Sequence, residues 1–544
     1  MISKMTLRDC TRDDFETRFG ALHTLGGVIR HWAERAPDAP AVLNATRGTS
    51  LTYRQLEERS AAVARALARA GFRKGDCFAT SLPLTDDHVV LEYGCFLAGV
   101  IHVPLDLRLS PAELARSLRM VDVRGYATAL PHGVPVEAPA PDHVFDASAL
   151  HEFIARAAHD SPQAPLPGID PGDGAQVIFT TGSTGSPKAA LLTHRGITAQ
   201  NYCLGTAFEF EASRVMVHLP PSHVGCQSEL LMTTLFWGGT AVTLEIFDPG
   251  KTLEAIERYQ VRLLGQIPAM FHMEWRHSEY GKRDLGSLEI AVYGGQSVPR
   301  PFLEKLRTMA PRIGTGLGLT EASGFCTYTP VTGDADLVAA SLGHAAPIYP
   351  MSIREPMRDD GAAGPEMPGG EVGHVCFRGP QTFAGYLHDE AATRRTVSTD
   401  GWLYTGDMGC VDAQGLHFSG RAKWVIKPAG YQVFPGDVEE HLCRLSDKVA
   451  SCGVVGVPHP VWVEAIIAFV EKKPGVELAE SELRRHARAL TSYKRPLHYM
   501  IVEPGQMPLN RVAKVDTLRL KELALEEVRQ LQERGRWRSE TMEE

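Results

Sequence analysis

A stretch of glycines and small hydroxyl residues follows a strand-like run and closes with Pro-Lys, at residues 177–188. The β-branched and aromatic residues at its start favour a strand. The glycines let the backbone turn sharply and approach a ligand closely. Backbone N–H groups, hydroxyls and a lysine ammonium all suit phosphate oxygens, so the pattern predicts a phosphate-binding loop. A flexible Gly/Ser turn is the alternative. The candidate phosphate-binding residues are Thr180, Thr181, Gly182, Ser183, Thr184, Gly185 and Lys188.

A second glycine-rich cluster spans residues 314–323. Its spaced glycines, Gly316 and Gly318 among them, would let backbone lie against a flat ligand such as a purine. Thr320 supplies a hydroxyl and Glu321 a carboxylate. A carboxylate beside a triphosphate usually serves Mg²⁺, which takes few protein oxygens in addition to phosphate. The alternative is a glycine-rich turn whose glutamate faces solvent.

A third cluster, residues 401–407, ends in Thr405-Gly406-Asp407. An aspartate after a glycine on a turn can accept hydrogen bonds from two hydroxyls, which suits a ribose diol. An aspartate that merely caps the turn is the alternative.

These clusters resemble, in the same order along the chain, the signature motifs of the adenylate-forming superfamily. That superfamily contains acyl-CoA synthetases, peptide-synthetase adenylation domains and luciferases. The run TTGSTGSPKAALLTH is similar to its phosphate loop, and Gly318 to Glu321 are similar to its Y-G-x-T-E motif. The resemblance extends from about residue 20 to about residue 520. Three positions depart from the usual family residue: Ala189, Leu317 and Ala513.

The resemblance implies roles for further residues. Lys188, Thr320, Glu321 and Lys514 would be catalytic, with Glu321 holding the metal and Lys514 reaching the α-phosphate and the reacting carboxylate. Lys423 would be the hinge between two domains. The implied nucleotide- and CoA-binding residues, besides those of the phosphate loop, are Gly295, Gln296, Gly318, Asp407, Arg421 and Gly430. The implied acid-pocket residues are His223, Gly294 and Gly316. A buried structural role for His223 is the alternative.

Length and patterning predict the architecture. A chain of 544 residues is too long for one core, so two or more domains are expected. Helical spacing alternates with short β-branched runs, which indicates an α/β fold with largely parallel sheets. The resemblance implies a large N-terminal domain of layered α/β subdomains, with parallel sheets and a small β-barrel-like part, over residues 1–421. It implies a small mobile α+β domain over residues 422–544.

Several local elements are also predicted. Leu25 to Trp32 has helical spacing, and the pairs Thr52/Gln55 and Ser110/Glu113 are capping-box patterns. The segment that begins at Gly373 alternates like a strand. The charged tail from Lys521 predicts a solvated terminal helix.

Composition narrows the function classes. The net charge is -9 and no long basic run occurs, which argues against a nucleic-acid surface. The N-terminal residues contain no apolar core of signal-peptide length, and no apolar run is long enough to span a membrane. The ten cysteines form no C-x-x-C pair, so neither a zinc ribbon nor a redox pair is indicated, and a reducing cytoplasm is expected.

The predicted activity is that of an ATP-dependent carboxylic acid:CoA ligase that forms acyl-AMP and then acyl-CoA. ATP, Mg²⁺ and coenzyme A would be required, and the protein would be a monomer or homodimer. Two alternatives stay open: transfer of the adenylate to a carrier-protein thiol or an amine, and a non-catalytic nucleotide-binding relative.

Overall fold

The computed structural model describes residues 5–131, 133–159, 165–181, 187–509, 515–535 and 537, with only the backbone at Thr181. The strands are β1 (Pro40–Asn44), β2 (Thr49–Thr52), β3 (Cys77–Ser81), β4 (Ile101–Pro104), β5 (Val123–Thr128), β6 (His143–Asp146), β7 (Gly174–Thr181), β8 (Pro187–Thr193), β9 (Arg214–Val217), β10 (Thr240–Thr243), β11 (Leu263–Gln266), β12 (Ile290–Tyr293), β13 (Arg312–Gly314), β14 (Gly318–Leu319), β15 (Gly324–Phe325), β16 (Met351–Arg354), β17 (Gly373–Phe377), β18 (Gly385–Tyr386), β19 (Leu403–Asp412), β20 (Gly415–Arg421), β21 (Val449–His459), β22 (Val463–Lys472) and β23 (His498–Val502).

The α-helices are α1 (Arg12–Arg18), α2 (Leu25–Arg35), α3 (Tyr53–Arg69), α4 (Asp86–Ala98), α5 (Pro111–Met120), α6 (Ala147–His159), α7 (His194–Ala207), α8 (Thr233–Phe236), α9 (Pro249–Tyr259), α10 (Pro268–Arg276), α11 (Arg300–Met309), α12 (Ala335–Ala340), α13 (Glu390–Arg394), α14 (Pro435–Cys443), α15 (Glu480–Ala487) and α16 (Thr517–Glu533). A π-helix, Gly225–Met232, precedes α8. Short 3₁₀ segments are Leu7–Asp9, Gly20–Leu22, Thr320–Ala322, Ala422–Trp424, Pro428–Gly430 and Ser492–Lys494.

Two seven-stranded sheets form the large N-terminal domain. The first sheet has the order β13-β12-β11-β9-β10-β1-β2 and is parallel except for β2. The second sheet has the order β18-β8-β7-β4-β3-β5-β6; β8 pairs antiparallel with both β7 and β18, and the other pairings are parallel. A four-stranded antiparallel sheet, β16-β17-β19-β20, follows. This architecture confirms the predicted α/β fold.

The main core lies between the two large sheets. One face of each sheet packs with α2, α3, α4 and α7 in a single apolar cluster. The other face of the first sheet packs against α9, α10 and α11, and that of the second sheet against α5. Neighbouring strand residues divide between these cores: Val215 and Val217 lie in the central one and Met216 in the outer one. This division follows from the period of two in a strand.

A smaller C-terminal domain has its own core. Its three-stranded sheet, β21-β22-β23, packs against α14 and α15 on one face and α16 on the other. The predicted terminal helix is present as α16, but the prediction that it is solvated is wrong for one of its faces. Leu520, Ala524 and Val528 of α16 are buried against the sheet, because every third or fourth residue of this charged helix is apolar.

Local sequence signals specify several elements. The predicted helix at Leu25 and the predicted strand at Gly373 are present as α2 and β17. Both predicted capping boxes form, at the N-termini of α3 and α5. Across the described residues, no helix is both long and apolar enough to cross a membrane.

Candidate active site

The glycine-rich segments lie at one edge of the first sheet. Strand β12 ends at Tyr293 and runs into Gly294, Gly295 and Gln296, while the neighbouring β13 ends just before Gly316. Because these strands are parallel, both segments leave the sheet at its carboxyl edge, where ligands bind in open α/β sheets. Gly295 and Gln296 are exposed at this edge.

A short hairpin carries Thr320 and Glu321. Its strands are β14 and β15, and the 3₁₀ turn Thr320–Ala322 connects them. This turn lies against both β8, which follows the predicted phosphate loop, and β19, which carries Asp407. The packing therefore brings three segments together that are widely separated in the sequence.

Tyr386 links the lysine and the carboxylate of this site. Lys188 pairs with Thr180 in the β7–β8 ladder, and its Nζ lies 4.6 Å from the centre of the Tyr386 ring. The Tyr386 hydroxyl donates to Glu321 Oε1 at 2.6 Å. Burial, and then the nearby Glu321 charge, raise the pKa of Tyr386, so its hydroxyl stays a donor. Sequence reasoning missed this tyrosine.

Glu321 is suited to a magnesium ion that is shared with phosphate. Its Oε1 accepts from Tyr386, which orients the carboxylate. Within the described part of the chain, no group of three or more His, Cys, Asp or Glu side chains is arranged to hold a metal ion. Mg²⁺ commonly uses only one or two protein carboxylates beside substrate phosphates, so the single carboxylate of Glu321 fits this metal.

Asp407 and Arg421 form a cross-strand pair. The residues are register partners on β19 and β20, and Arg421 Nε lies 2.9 Å from Asp407 Oδ1. Arg421 also donates to the Thr405 carbonyl at 3.2 Å. The Asp407 carboxylate is almost fully buried, whereas half of the Arg421 side chain is exposed. An oriented carboxylate of this kind can accept hydrogen bonds from a diol.

The predicted acid-pocket glycines surround Phe325. A Cβ atom on Gly294 would lie 3.2 Å from the Phe325 ring, and one on Gly316 would lie 2.9 Å from it. His223 is exposed, which removes the alternative of a buried structural histidine. The backbone N–H of Gly225 donates to His223 Nδ1 at 3.0 Å and so holds the ring. Sequence reasoning missed Phe325, because one phenylalanine after a glycine is no distinctive signal.

Lys423 and Gly430 lie downstream of this cluster. Lys423 is in the 3₁₀ segment Ala422–Trp424, with its Nζ 4.5 Å from the Trp424 ring centre. Partial burial, and then the charge of Arg421, lower the pKa of Lys423 to about 8. Gly430 has φ +87° and no atom within 4 Å of the place its Cβ would take. Among the described residues, neither of the two shares a hydrogen bond or an ion pair with Glu321.

Some predicted residues fall outside the described part of the chain. They are Gly182, Ser183, Thr184, Gly185 and Lys514, together with the side chain of Thr181. Their assignments stay predictions. Of the family departures, Ala189 is a buried residue of β8, paired with Phe179.

Comparison with known proteins identifies the family of this chain. Residues 29–387 match the AMP-binding enzyme family, and residues 437–514 match the AMP-binding enzyme C-terminal domain. Feruloyl-CoA synthase from Amycolatopsis sp is 32% identical over 85% of this chain and 92% of that protein. Fatty acid–[acyl-carrier-protein] ligase ScoC from Streptomyces coeruleorubidus is 29% identical over 91% and 95%. The amide bond synthetase McbA from Marinactinospora thermotolerans is 27% identical, with a TM-score of 0.77 over 92% and 99%.

Fold, site and matches together define an AMP-forming acid–thiol ligase. The chain belongs to the AMP-binding enzyme family, within the acyl-CoA synthetase branch of the adenylate-forming superfamily.

Proposed function

We propose that this protein is an ATP-dependent carboxylic acid:CoA ligase. In the first half-reaction the acid's carboxylate attacks the α-phosphate of ATP and releases pyrophosphate. In the second, the CoA thiol attacks the acyl-AMP carbonyl and releases AMP. The observation that carries the proposal is the Lys188–Tyr386–Glu321 chain, whose turn lies against the strand of the Asp407–Arg421 pair. Together these residues would offer a cation, a carboxylate and a diol acceptor to one nucleotide.

Each residue would act by position and charge, which is how proteins mainly assist such transfers. Lys188 and the hydroxyls of the loop would bind the β- and γ-phosphates, and Thr320 would lie beside them. Asp407 would accept from the ribose hydroxyls, and Arg421 would orient it. Bound to Glu321, Mg²⁺ would neutralise phosphate charge. Lys514 would contact the α-phosphate and the reacting carboxylate.

Gly295, Gln296 and Gly318 would line the nucleotide site, and His223, Gly294 and Gly316 the acid pocket. Residues 1–421 would form the nucleotide- and acid-binding domain, and residues 422–544 a mobile lid. Rotation about Lys423 would withdraw Lys514 and admit the thiol past Gly430. Backbone rotation at a hinge does not require glycine.

A different acceptor is the second candidate. ScoC is named for transfer to an acyl-carrier protein, and McbA for amide bond formation. Either acceptor would use the same adenylation site and would differ only in the nucleophile. A non-catalytic relative is the third possibility, and the joint presence of Lys188, Glu321, Asp407 and Arg421 argues against it.

The test is a pyrophosphate-release screen with the full chain, Mg-ATP, and aromatic, alicyclic and fatty acids, with CoA present or omitted. We expect pyrophosphate with at least one acid, and the corresponding acyl-CoA and AMP only when CoA is added. Pyrophosphate without thioester would favour a carrier or an amine. Absence of pyrophosphate with every acid would favour the non-catalytic relative.

Lys514→Ala provides the matching variant, with Lys521→Ala on α16 as the control. If Lys514 acts in adenylation, acyl-AMP formation falls by about 10²-fold or more. Thioester formation from supplied acyl-AMP should survive. Equal loss in both half-reactions would instead indicate a structural role for Lys514.

A further inference from the structure

Glu229 places a carboxyl group against the predicted acid pocket. It lies on the π-helix Gly225–Met232, which follows the turn that carries His223. A Cβ atom on Gly318 would lie 3.2 Å from Glu229 Oε1, and one on Gly225 would lie 3.3 Å from Oε2. Both oxygens therefore face positions where the chain has no side chain.

The adjoining hairpin strand leaves the same space open. Gly324 has φ +129°, a conformation that residues with a side chain rarely adopt, and a Cβ atom there would lie 2.8 Å from Glu229 Cγ. The next residue is Phe325, whose ring packs against Gly294 and Gly316. The carboxyl group thus adjoins the wall that the predicted acid-pocket glycines form.

A buried amide lies beside the same glycine. Gln200 of α7 is fully buried, and its Nε2 has no hydrogen-bond partner among the described residues. Gln200 Nε2 and Glu229 Oε1 lie 3.0 Å and 3.1 Å from the same point, the place of a Gly324 Cβ. An orphaned donor is costly, so this amide favours an oxygen acceptor nearby and disfavours an ammonium group.

The protonation state of Glu229 follows from its surroundings. Within the described chain, Glu229 forms no ion pair with a lysine, arginine or histidine. Burial raises the pKa of Glu229 to about 8, and a hydrogen bond from the Phe325 backbone N–H offsets this in part. Near pH 7 the group is therefore largely a neutral acid, which can donate a hydrogen bond.

We propose that Glu229 determines acid specificity by donating a hydrogen bond to an uncharged hydroxyl or carbonyl oxygen on the substrate, away from its reacting carboxylate. This inference rests on the proposed function, since it places the substrate acid beside Phe325. The substrate class is an oxygen-bearing carboxylic acid rather than a purely hydrocarbon acid or an amino acid.

Matched acid pairs test the proposal by pyrophosphate release. The pairs are 3-(4-hydroxyphenyl)propanoic and 3-(4-methylphenyl)propanoic acid, trans-4-hydroxy- and trans-4-methylcyclohexanecarboxylic acid, and 8-hydroxyoctanoic and nonanoic acid. We expect the native protein to prefer the hydroxyl acid by about 10-fold in kcat/KM in the pair it accepts, the scale of one hydrogen bond. Glu229→Leu should reverse that preference, whereas Glu229→Gln, which keeps a donor, should retain it.

A pH series separates donation by Glu229 from a structural role. Between pH 7 and pH 9 the native preference for a ketone analogue of the accepted acid over its methyl counterpart should fall as Glu229 ionises, because a ketone oxygen can only accept, and in Glu229→Gln it should stay flat. The neighbouring titratable groups are His223 on the preceding turn, Glu321 on the hairpin turn and Cys326 after β15. Burial raises the pKa of Cys326, so its thiol does not ionise in this range.

Glu274→Gln is the matched control. Burial also raises the pKa of Glu274 to about 8, but its Oε2 accepts from Gln266 on a different face of the first sheet. This variant should keep both the preference and its pH dependence.

Three outcomes would overturn the proposal. The first is that the native protein prefers the methyl acid in every pair it accepts, and the second is that Glu229→Leu has the same preference as the native protein. The third is that 3-[4-(aminomethyl)phenyl]propanoic acid is the best substrate and that Glu229→Gln no longer uses it. If no acid releases pyrophosphate, the proposed function fails and this inference fails with it. If pyrophosphate forms but the preference between paired acids does not change with the residue at position 229, only this inference fails.

Discussion

At the scale of single residues, the ion pair between Asp407 and Arg421 fixes the position of a buried carboxylate. The half-exposed guanidinium of Arg421 balances the charge of the buried Asp407 carboxylate. The two residues pair because they are register partners on β19 and β20. A carboxylate fixed in this way loses little conformational freedom when it accepts further hydrogen bonds.

Replacing Asp407 with alanine should weaken ATP and AMP binding together. The lost acceptor is charged, so the expected cost is about 1.5–3 kcal/mol for both nucleotides. Calorimetric titration of each nucleotide measures it, and the apparent KM for the acid at saturating ATP should change little. Asp412→Ala, at the exposed end of the same strand, is the control. Unchanged nucleotide affinity would exclude Asp407 from the site.

Tyr386→Phe should weaken the response to magnesium specifically. The change removes the hydroxyl that donates to Glu321 but keeps the ring beside Lys188. We expect the Mg²⁺ concentration for half-maximal pyrophosphate release to rise about 10-fold, with kcat at saturating Mg²⁺ largely kept. Tyr404→Phe, whose hydroxyl donates to the Glu355 carbonyl instead, should behave like the native protein. An unaltered Mg²⁺ response in Tyr386→Phe would show that this hydrogen bond does not matter for the metal.

At the scale of elements, the hairpin β14–β15 depends on close backbone contacts. A Cβ atom on Gly316 would lie 1.9 Å from the Thr327 carbonyl oxygen. Ser323, at the end of the turn, has φ +60°, and its hydroxyl donates to the Gln381 carbonyl. These contacts leave the turn with Thr320 and Glu321 little freedom to shift.

Gly316→Ala should therefore destabilise the N-terminal domain. The neighbour it would meet is backbone, so overpacking should cost about 1–3 kcal/mol. Thermal unfolding followed by circular dichroism should show a lower Tm. Gly369→Ala, where no atom lies within 4 Å of the added Cβ, should leave the Tm close to the native value. Equal Tm values for the two variants would mean that the hairpin adjusts freely.

At the scale of the whole molecule, the chain passes from β20, which ends at Arg421, to a separate C-terminal core, whose first residue is Ile426. The C-terminal sheet is buried by its own helices, so it does not need the N-terminal domain to complete its core. Lys423 lies in the short 3₁₀ segment between β20 and the C-terminal elements. A rotation there would leave both cores intact.

Lys423→Pro should separate the two half-reactions. Proline fixes φ near -65°, so it restricts backbone rotation at this position. Acyl-AMP should form at a near-native rate and then accumulate in the presence of CoA, as measured by rapid quench and chromatography. Lys423→Ala removes the same side chain without fixing φ and should still complete the thioester. Normal rates for both half-reactions in Lys423→Pro would mean that residue 423 is not the pivot.

The sequence by itself determined the class of protein and many local elements. The order of the motifs along the chain identified the family. The helix α2, the strand β17 and the capping boxes at Thr52 and Ser110 were predicted because each depends on residues within a few positions. The burial of one face of α16 also follows from the spacing of its apolar residues, but the charged composition of the segment led to the prediction of a solvated helix.

Only the tertiary structure decided which side chains meet. Tyr386 and Glu321 are 65 positions apart, and Gln200, Glu229 and Gly324 come from three different elements. No local pattern joins such residues, because their distances are set by how β18, α7, the π-helix and the hairpin pack rather than by sequence spacing. Motifs shared with a family predict the general chemistry of the nucleotide. The polar groups at the predicted acid pocket depend on packing between distant segments.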